Sequence, residues 1–233
     1  MSEFFKRIER KYLINQKQYI NLKEIMENYT VEDSHGQSKI CNVYFDTKNY
    51  DLIRTSIEGP VYKDKIRIRS YNTPKADTPI FLEIKRKSEG IVSKRRIQAP
   101  LNEVNEFIKT GEIKNINQVD KQVLKELKYY FNLYKLKPTA YVSYDRSAYY
   151  AKDDNEFRIT IDSNIIARNY DLCLEKGSYG TRILNSNLYL LEVKTSEKIP
   201  LWFVKALSKE NIGPAGFSKY GELYKQLILK QAA

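Results

Sequence analysis

Along much of this chain, apolar residues alternate with charged ones, and the charged member is mostly Lys or Arg. Lys65-Ile66-Arg67-Ile68-Arg69 is the clearest case. Successive side chains of a strand point to opposite faces. Lys65, Arg67 and Arg69 therefore share one face, and Ile66 and Ile68 take the other. The pattern recurs in Phe81-Leu82-Glu83-Ile84-Lys85, Tyr144-Asp145-Arg146, Arg158-Ile159-Thr160-Ile161-Asp162 and Leu190-Leu191-Glu192-Val193-Lys194. Strands are expected over 7–14, 40–45, 63–71, 80–86, 91–98, 139–150, 156–163 and 187–195, with a weaker one over 164–169. Ser88-Glu89-Gly90 reads as a hairpin turn, and Asp153-Asp154-Asn155 as a second turn.

The period changes to three and four over 16–29, where Tyr19, Leu22, Ile25, Met26 and Tyr29 form one helical stripe. Helices are also expected over 102–110, with Val104, Phe107 and Ile108, and over 119–134, with Leu124, Leu127 and Phe131. Residues 49–56 read as a turn or short helix. Pro200 opens another helix, where proline suits the first turn, and Leu223, Tyr224, Leu227 and Ile228 mark the last. Residues 33–39, 73–79 and 213–216 read as loops, and Gly59-Pro60 as a break. No linker or repeat interrupts the chain, and the basic alternation occurs on both sides of the central helices. One domain over 1–233 with a shared sheet or barrel is expected.

The 233 residues are 42% hydrophobic and 12% aromatic. That is enough for a packed core, and it argues against disorder. Forty Lys and Arg against 29 Asp and Glu give a formal charge of +11, which favours phosphate-rich partners. Cys41 and Cys173 lie in no metal-spaced motif, so a reducing, cytoplasmic setting is expected. The single histidine, His35, sits in a polar stretch and reads as a solvated loop residue. This composition argues against zinc sites and against Cys-His or Ser-His-Asp centres. A metal here would be hard and oxygen-bound, such as magnesium or manganese. No signal peptide and no run of ~20 apolar residues is evident, so no membrane insertion is expected. Glycine loops for nucleotide binding and kinase signatures are missing as well. Most of the 19 tyrosines fall on helix stripes or at strand ends, where packing accounts for them.

The cationic faces carry Lys11, Arg67, Arg69, Lys85, Lys94, Arg96, Arg146, Arg158 and Lys194. Matching faces carry Glu9, Glu83, Asp162 and Glu192. If these faces converge, like charges ~4 Å apart repel by about 4 kcal/mol at an effective dielectric near 20. Burying unpaired ions costs several kcal/mol more. A dry interior is untenable, so a wet channel filled by an anion is expected. Arg suits bidentate phosphate contacts, and Lys acts as a point charge beside them. Glu192 is the first choice for a metal ligand. Glu9 and Glu83 are further candidates, or they neutralise neighbouring Arg. Asp162 is expected to pair with Arg158.

These segments, in this order, resemble the VTC domain, the polyphosphate polymerase branch of the triphosphate tunnel metalloenzymes. The matching pieces are Glu9-Arg10-Lys11-Tyr12, Tyr44-Phe45-Asp46-Thr47, Arg67-Ile68-Arg69, Glu83-Ile84-Lys85, Ser93-Lys94-Arg95-Arg96, Tyr144-Asp145-Arg146, Arg158-Ile159-Thr160-Ile161-Asp162, Leu191-Glu192-Val193-Lys194 and Phe217-Ser218-Lys219-Tyr220. The resemblance implies an α+β fold: an antiparallel β-barrel, the triphosphate tunnel, with helices packed outside. It implies an Mn2+- or Mg2+-dependent enzyme that moves the terminal phosphate of ATP onto a growing polyphosphate chain. Lys11, Arg67, Arg69, Lys85, Lys94, Arg146, Arg158 and Lys219 would act on the phosphates. Tyr144, Arg96, Lys194 and Ser218 would bind substrate, and Glu192, with Glu9 and Glu83, would hold the metal. ATP and polyphosphate or triphosphate are the implied partners. No specific nucleic acid is expected, and a membrane-protein partner could direct the product.

The wider superfamily's hydrolases and cyclases often begin Glu-x-Glu-x-Lys. Here Arg7-Ile8-Glu9-Arg10-Lys11 puts Arg in the first acidic place. Fewer carboxylates activate a metal-bound water less, which favours transfer or binding over hydrolysis. A triphosphatase and a non-catalytic polyanion binder are the alternatives.

Overall fold

The computed structural model describes residues 8–34, 36–59, 61–89, 91–113, 118–196 and 198–230. Arg7, His35, Pro60 and Gly90, which figure in the sequence reading, lie outside the described residues.

The chain runs β1 (Ile8–Asn15), α1 (Gln16–Tyr29), β2 (Thr30–Glu32), β3 (Ser38–Asp46), α2 (Asp51–Glu58), β4 (Tyr62–Tyr71), β5 (Pro79–Ser88) and β6 (Ile91–Pro100). It continues through α3 (Leu101–Thr110), α4 (Gln118–Tyr134), β7 (Lys137–Ala151), β8 (Arg158–Arg168), β9 (Thr181–Arg182), β10 (Leu188–Thr195), α5 (Leu201–Lys209) and α6 (Lys219–Leu223). Hydrogen bonding orders ten strands as β1-β10-β8-β7-β3-β4-β5-β6, with β2 on β7 and β9 on β8. Every described register is antiparallel. The α+β class and the antiparallel sheet are as expected. The strand path is open, ending at β1 and β6 among the described residues.

The chain divides into two compact units. The first comprises Met1–Lys39, Tyr144–Ile165 and Arg182–Ser218; the second comprises Ile40–Ser143, Ile166–Thr181 and Lys219–Ala233.

In the first unit the period-two pattern sends Tyr12, Ile14, Ile159, Ile161, Leu191 and Val193 to one face. There they pack with Leu22 and Met26 of α1 and with Phe203, Ala206 and Leu207 of α5. A capping box starts α1: Gln18 N–H donates to Asn15 Oδ1 and Asn15 N–H donates to Gln18 Oε1, both at 2.9 Å. This satisfies two of the free donors at the helix start. The 213–218 segment covers the edge of β1, where Ala215 N–H donates to the Lys11 carbonyl at 2.8 Å.

In the second unit Val43, Phe45, Ile66, Ile68, Leu82, Ile84 and Ile97 face Leu101, Val104 and Phe107 of α3 and Leu127 and Tyr130 of α4. Asp46, fully buried, joins strand to helix. Its carboxylate accepts the N–H groups of Thr47, Leu52 and Ile53 at 2.8–2.9 Å, the last two at the start of α2, and the Tyr220 hydroxyl at 2.9 Å. Burial raises the Asp46 carboxyl, and these donors oppose the rise.

Four elements depart from the pattern reading. The three-residue β2 and the two-residue β9 are too short to show a period. The expected strands over 156–163 and 164–169 are one strand, β8, kinked where Asn164 takes φ +49°; that kink breaks the alternation. The last helix changes to π-helical turns over Tyr224–Leu229. No helix among the described residues is long and apolar enough to cross a membrane.

Candidate functional site

In the second unit, β4, β5 and β6 turn one face away from the core. The register aligns Lys65, Lys85 and Lys94 in one row, Arg67, Glu83 and Arg96 in the next, and Arg69, Phe81 and Gln98 in a third. Lys63 and Lys87 add a further pair of facing cations. Like charges directly opposite each other weaken a sheet. Glu83 is the one carboxylate on this face among the described residues.

Glu83 is 1% exposed. Its Oε2 accepts from Arg67 Nε at 2.8 Å, with Arg67 Nη2 also at 2.8 Å and Arg69 Nε at 3.9 Å. Lys94 Nζ lies 2.6 Å from Oε1. Burial works against the Glu83 charge, but Arg67, Arg69 and Lys94 outweigh it and hold the carboxyl down at about 2. Burial and the two guanidinium groups bring Lys94 down to about 8 despite Glu83. Two neighbours on β3 complete the array. Arg67 Nη1 donates to the Tyr44 hydroxyl at 3.1 Å, and Arg69 Nε donates to Asn42 Oδ1 at 3.0 Å. Asn42, fully buried, donates its own amide to the Val142 carbonyl at 3.1 Å. Tyr44 stacks on Tyr220, ring centroids 4.8 Å apart. Tyr220 follows Lys219, which starts α6 half-buried.

The first unit follows another charge pattern. On β1 and β10, Glu9 faces Lys194 and Lys11 faces Glu192, while Lys194 faces Arg158 of β8. Lys11 Nζ lies 3.5 Å from Glu9 Oε1 and 3.6 Å from Glu192 Oε2, and it donates to the Phe217 carbonyl at 3.3 Å. Lys194 Nζ is 2.6 Å from Glu192 Oε1. Ser218 is half-buried beside Phe217. Arg146 binds Asp162 in bidentate fashion, Nε to Oδ1 at 2.6 Å and Nη2 to Oδ2 at 2.8 Å. Burial opposes the Arg146 charge, yet Asp162 and its other anionic neighbours raise it well above its ordinary value. The Arg146 guanidinium also lies 5.1 Å from the ring centroid of Tyr144, which is buried.

The expected Asp162–Arg158 pair is not formed. The two residues lie four apart on one strand, about 13 Å at ~3.3 Å per residue. Asp162 pairs across to Arg146 instead. Arg158 donates to Asp33 Oδ2 at 3.3 Å and covers the Tyr150 ring at 4.9 Å. Asn42, Tyr44 and Asp33 were not singled out by the alternation. Asn42 had a readable signal, a lone amide inside the apolar run Ile40–Phe45. Asp33 had none, because its role depends on where its loop folds.

The family model for the VTC domain matches residues 6–228. The chain belongs to the VTC domain family. Among solved structures, a candidate adenylate cyclase from Bacillus halodurans is similar over 95% of this chain and 97% of its own, at 14% identity and a TM-score of 0.59. A candidate adenylyl cyclase from Hippeastrum with a dominant triphosphatase activity is similar over 94% of this chain and 95% of its own, at 18% identity and a TM-score of 0.57. At such identities the likeness is one of fold. No curated protein matches the chain. Among the described residues no cluster of three or more His, Cys, Asp or Glu occurs. In this VTC domain, Glu9 and Glu192 are two carboxylates that share the Lys11 ammonium.

Proposed function

We propose that this VTC domain is a metal-dependent polyphosphate polymerase that transfers the terminal phosphate of ATP to a growing polyphosphate chain. The observation that carries the reading is the cation excess around Glu83. Arg67, Arg69 and Lys94 converge on one buried carboxylate, and a row of facing lysines continues the charge. Such a face gains most from a ligand with many anionic oxygens along its length. Glu83 serves here as the residue that positions three cations, rather than as a metal ligand.

Arg67, Arg69, Lys85, Lys94 and Lys219 bind phosphate oxygens in the second unit. In the first unit Lys11, Arg158 and Lys194 provide charge, Ser218 and Tyr144 provide hydroxyls, and Asp162 fixes the plane of the Arg146 guanidinium. Two of the five N–H donors of Arg146 are taken by Asp162, which leaves donors for phosphate. Glu9 and Glu192 would hold the metal. Hard ions of the magnesium type are commonly held by one or two carboxylates, with waters and phosphate oxygens filling the shell, so two suffice. When bound, the ion neutralises charge on the phosphate oxygens. In the transfer, a terminal oxygen of the acceptor bonds to the γ-phosphorus of ATP. The bond from that phosphorus to the β–γ bridging oxygen breaks, and ADP leaves with the electron pair.

Transfer is favoured over hydrolysis because Glu9 and Glu192 both lie against Lys11, and Lys194 also engages Glu192. With the metal held as well, neither carboxylate is left to act as a base for water. The second reading, a triphosphatase, draws on the activity of the Hippeastrum relative by fold. Incubation with ATP and manganese or magnesium, with a short polyphosphate primer, separates the two. Long polyphosphate with matching ADP supports the polymerase. Orthophosphate without chain growth selects the triphosphatase.

A further inference from the structure

The cationic face of the second unit changes chemistry along its strands. The lysine row Lys65–Lys85–Lys94 gives way to Arg67–Glu83–Arg96 and then to Arg69–Phe81–Gln98. Tyr71, 51% exposed, lies one pleat further along β4. The Arg96 guanidinium carbon sits 4.4 Å from the Phe81 ring centroid. The Tyr71 ring meets Phe81 edge-on, with centroids 6.3 Å apart at 83°. A face that bound only phosphate would gain nothing from these rings at its end. A nucleobase would, because its π-face stacks on aromatic rings and on guanidinium planes.

We propose that Phe81, Tyr71 and Arg96 form a platform for the base of a nucleoside triphosphate, whose phosphates run from Arg69 and Arg67 toward the lysine row. Successive rows are about 6.8 Å apart. That spacing lets the base rest on the aromatic end while its phosphates occupy the arginine rows. Phe81 holds the plane of Arg96 from one side, and the base stacks on the other. Tyr71 closes the edge. The terminal phosphate then points at Lys65, Lys85 and Lys94. The inference rests on the nucleotide-dependent reading above and gives it a direction: base at the aromatic end, growing chain at the lysine end.

The test is a calorimetric titration of ATP and, separately, inorganic tripolyphosphate into the whole chain and its Phe81→Leu, Tyr71→Ala and Arg96→Lys variants. Loss of the Phe81 ring frees the Arg96 plane and loss of Tyr71 opens the edge, so each ring variant is expected to weaken ATP several-fold, toward the roughly tenfold scale of a lost stacking partner, and to leave tripolyphosphate within about twofold. Arg96→Lys keeps the charge and loses the plane, so it too is expected to weaken ATP more than tripolyphosphate. Equal loss for both ligands, or no loss for either, overturns the platform. Should Phe81→Leu melt early, Tyr71→Ala carries the same comparison from a half-exposed ring. A parent chain that binds tripolyphosphate but shows no stacking effect sinks the platform alone. A parent chain that binds neither ligand sinks the functional reading together with it.

Discussion

In the first unit Glu9, Glu192 and Asp162 alternate with Lys11, Lys194 and Arg146, and each cation lies within 4 Å of a carboxylate. On β4–β6 of the second unit, Lys63, Lys65, Arg67, Arg69, Lys85, Lys87, Lys94 and Arg96 share a face with Glu83 alone. The first arrangement is nearly self-neutral. The second gathers Arg67, Arg69 and Lys94 round one buried carboxylate, with further lysines in the adjoining rows, so it is the face that gains most from an anion. Under the proposed function the difference is a division of labour: the proposed metal carboxylates Glu9 and Glu192 lie in one unit, whose cations are partly neutralised, and the stronger phosphate cradle in the other. It also predicts that the two respond differently to loss of a carboxylate.

The sharpest way to break that comparison is to remove Glu83. Glu83→Ala removes a buried carboxylate from between the partly buried Arg67 and Arg69 guanidinium groups and is expected to cost about 3 kcal/mol, the lower end for breaking a buried pair, measured by urea unfolding. Glu192→Gln keeps the shape and a hydrogen-bonding amide at a buried position whose lysine partners are about a third exposed; it is expected to cost less than Glu83→Ala, on the order of 1–2 kcal/mol, while abolishing metal-dependent chain growth. Similar stability losses for both would erase the distinction. Next in size, tripolyphosphate at ~100 times its dissociation constant adds about 2.7 kcal/mol to the parent fold. Arg67→Glu is expected to remove that gain, read as a missing thermal shift.

Acidity sharpens the contrast further. The Glu83 carboxyl lies at about 2 in the fold against an ordinary 4.5. Its contribution to stability is full above pH ~4.5 and is lost as pH falls toward ~2. Acid titrations of unfolding should show this window in the parent and lose it in Glu83→Gln. The smallest effect belongs to Lys94. With its ammonium at about 8 instead of 10.5, it sheds its proton as pH rises through ~8, and anion affinity should fall with it. Lys94→Arg, which stays charged, should show a flatter profile by titration across pH 7–9.

The strands and most helices were legible because burial imposes a period on the chain. Ile66 and Ile68 had to oppose Arg67 and Arg69 once one face was core. The cluster of Arg67, Arg69, Glu83 and Lys94 was legible for the same reason, since alternation alone puts them on one side. Partner choice was not legible. Whether Asp162 meets Arg158 or Arg146 depends on which strands are neighbours, and sequence spacing says nothing of β8 lying beside β7. Arg168 was hidden altogether. It is fully buried, 3.5 Å and 4.0 Å from the Tyr141 and Tyr179 ring centroids, and it donates to the carbonyls of Asp171, Gly177 and Tyr179. Backbone acceptors leave no trace in side-chain patterning. The same loop needs Gly180, where a Cβ would come within 2.5 Å of the Ala167 carbonyl.

One titration tests the division of labour most directly: tripolyphosphate into the parent chain, Arg67→Glu and Glu192→Gln, all in chelator. The account predicts that the parent and Glu192→Gln bind alike without metal, and that Arg67→Glu does not bind. Metal-free binding that survives Arg67→Glu, or that vanishes with Glu192→Gln, would contradict it.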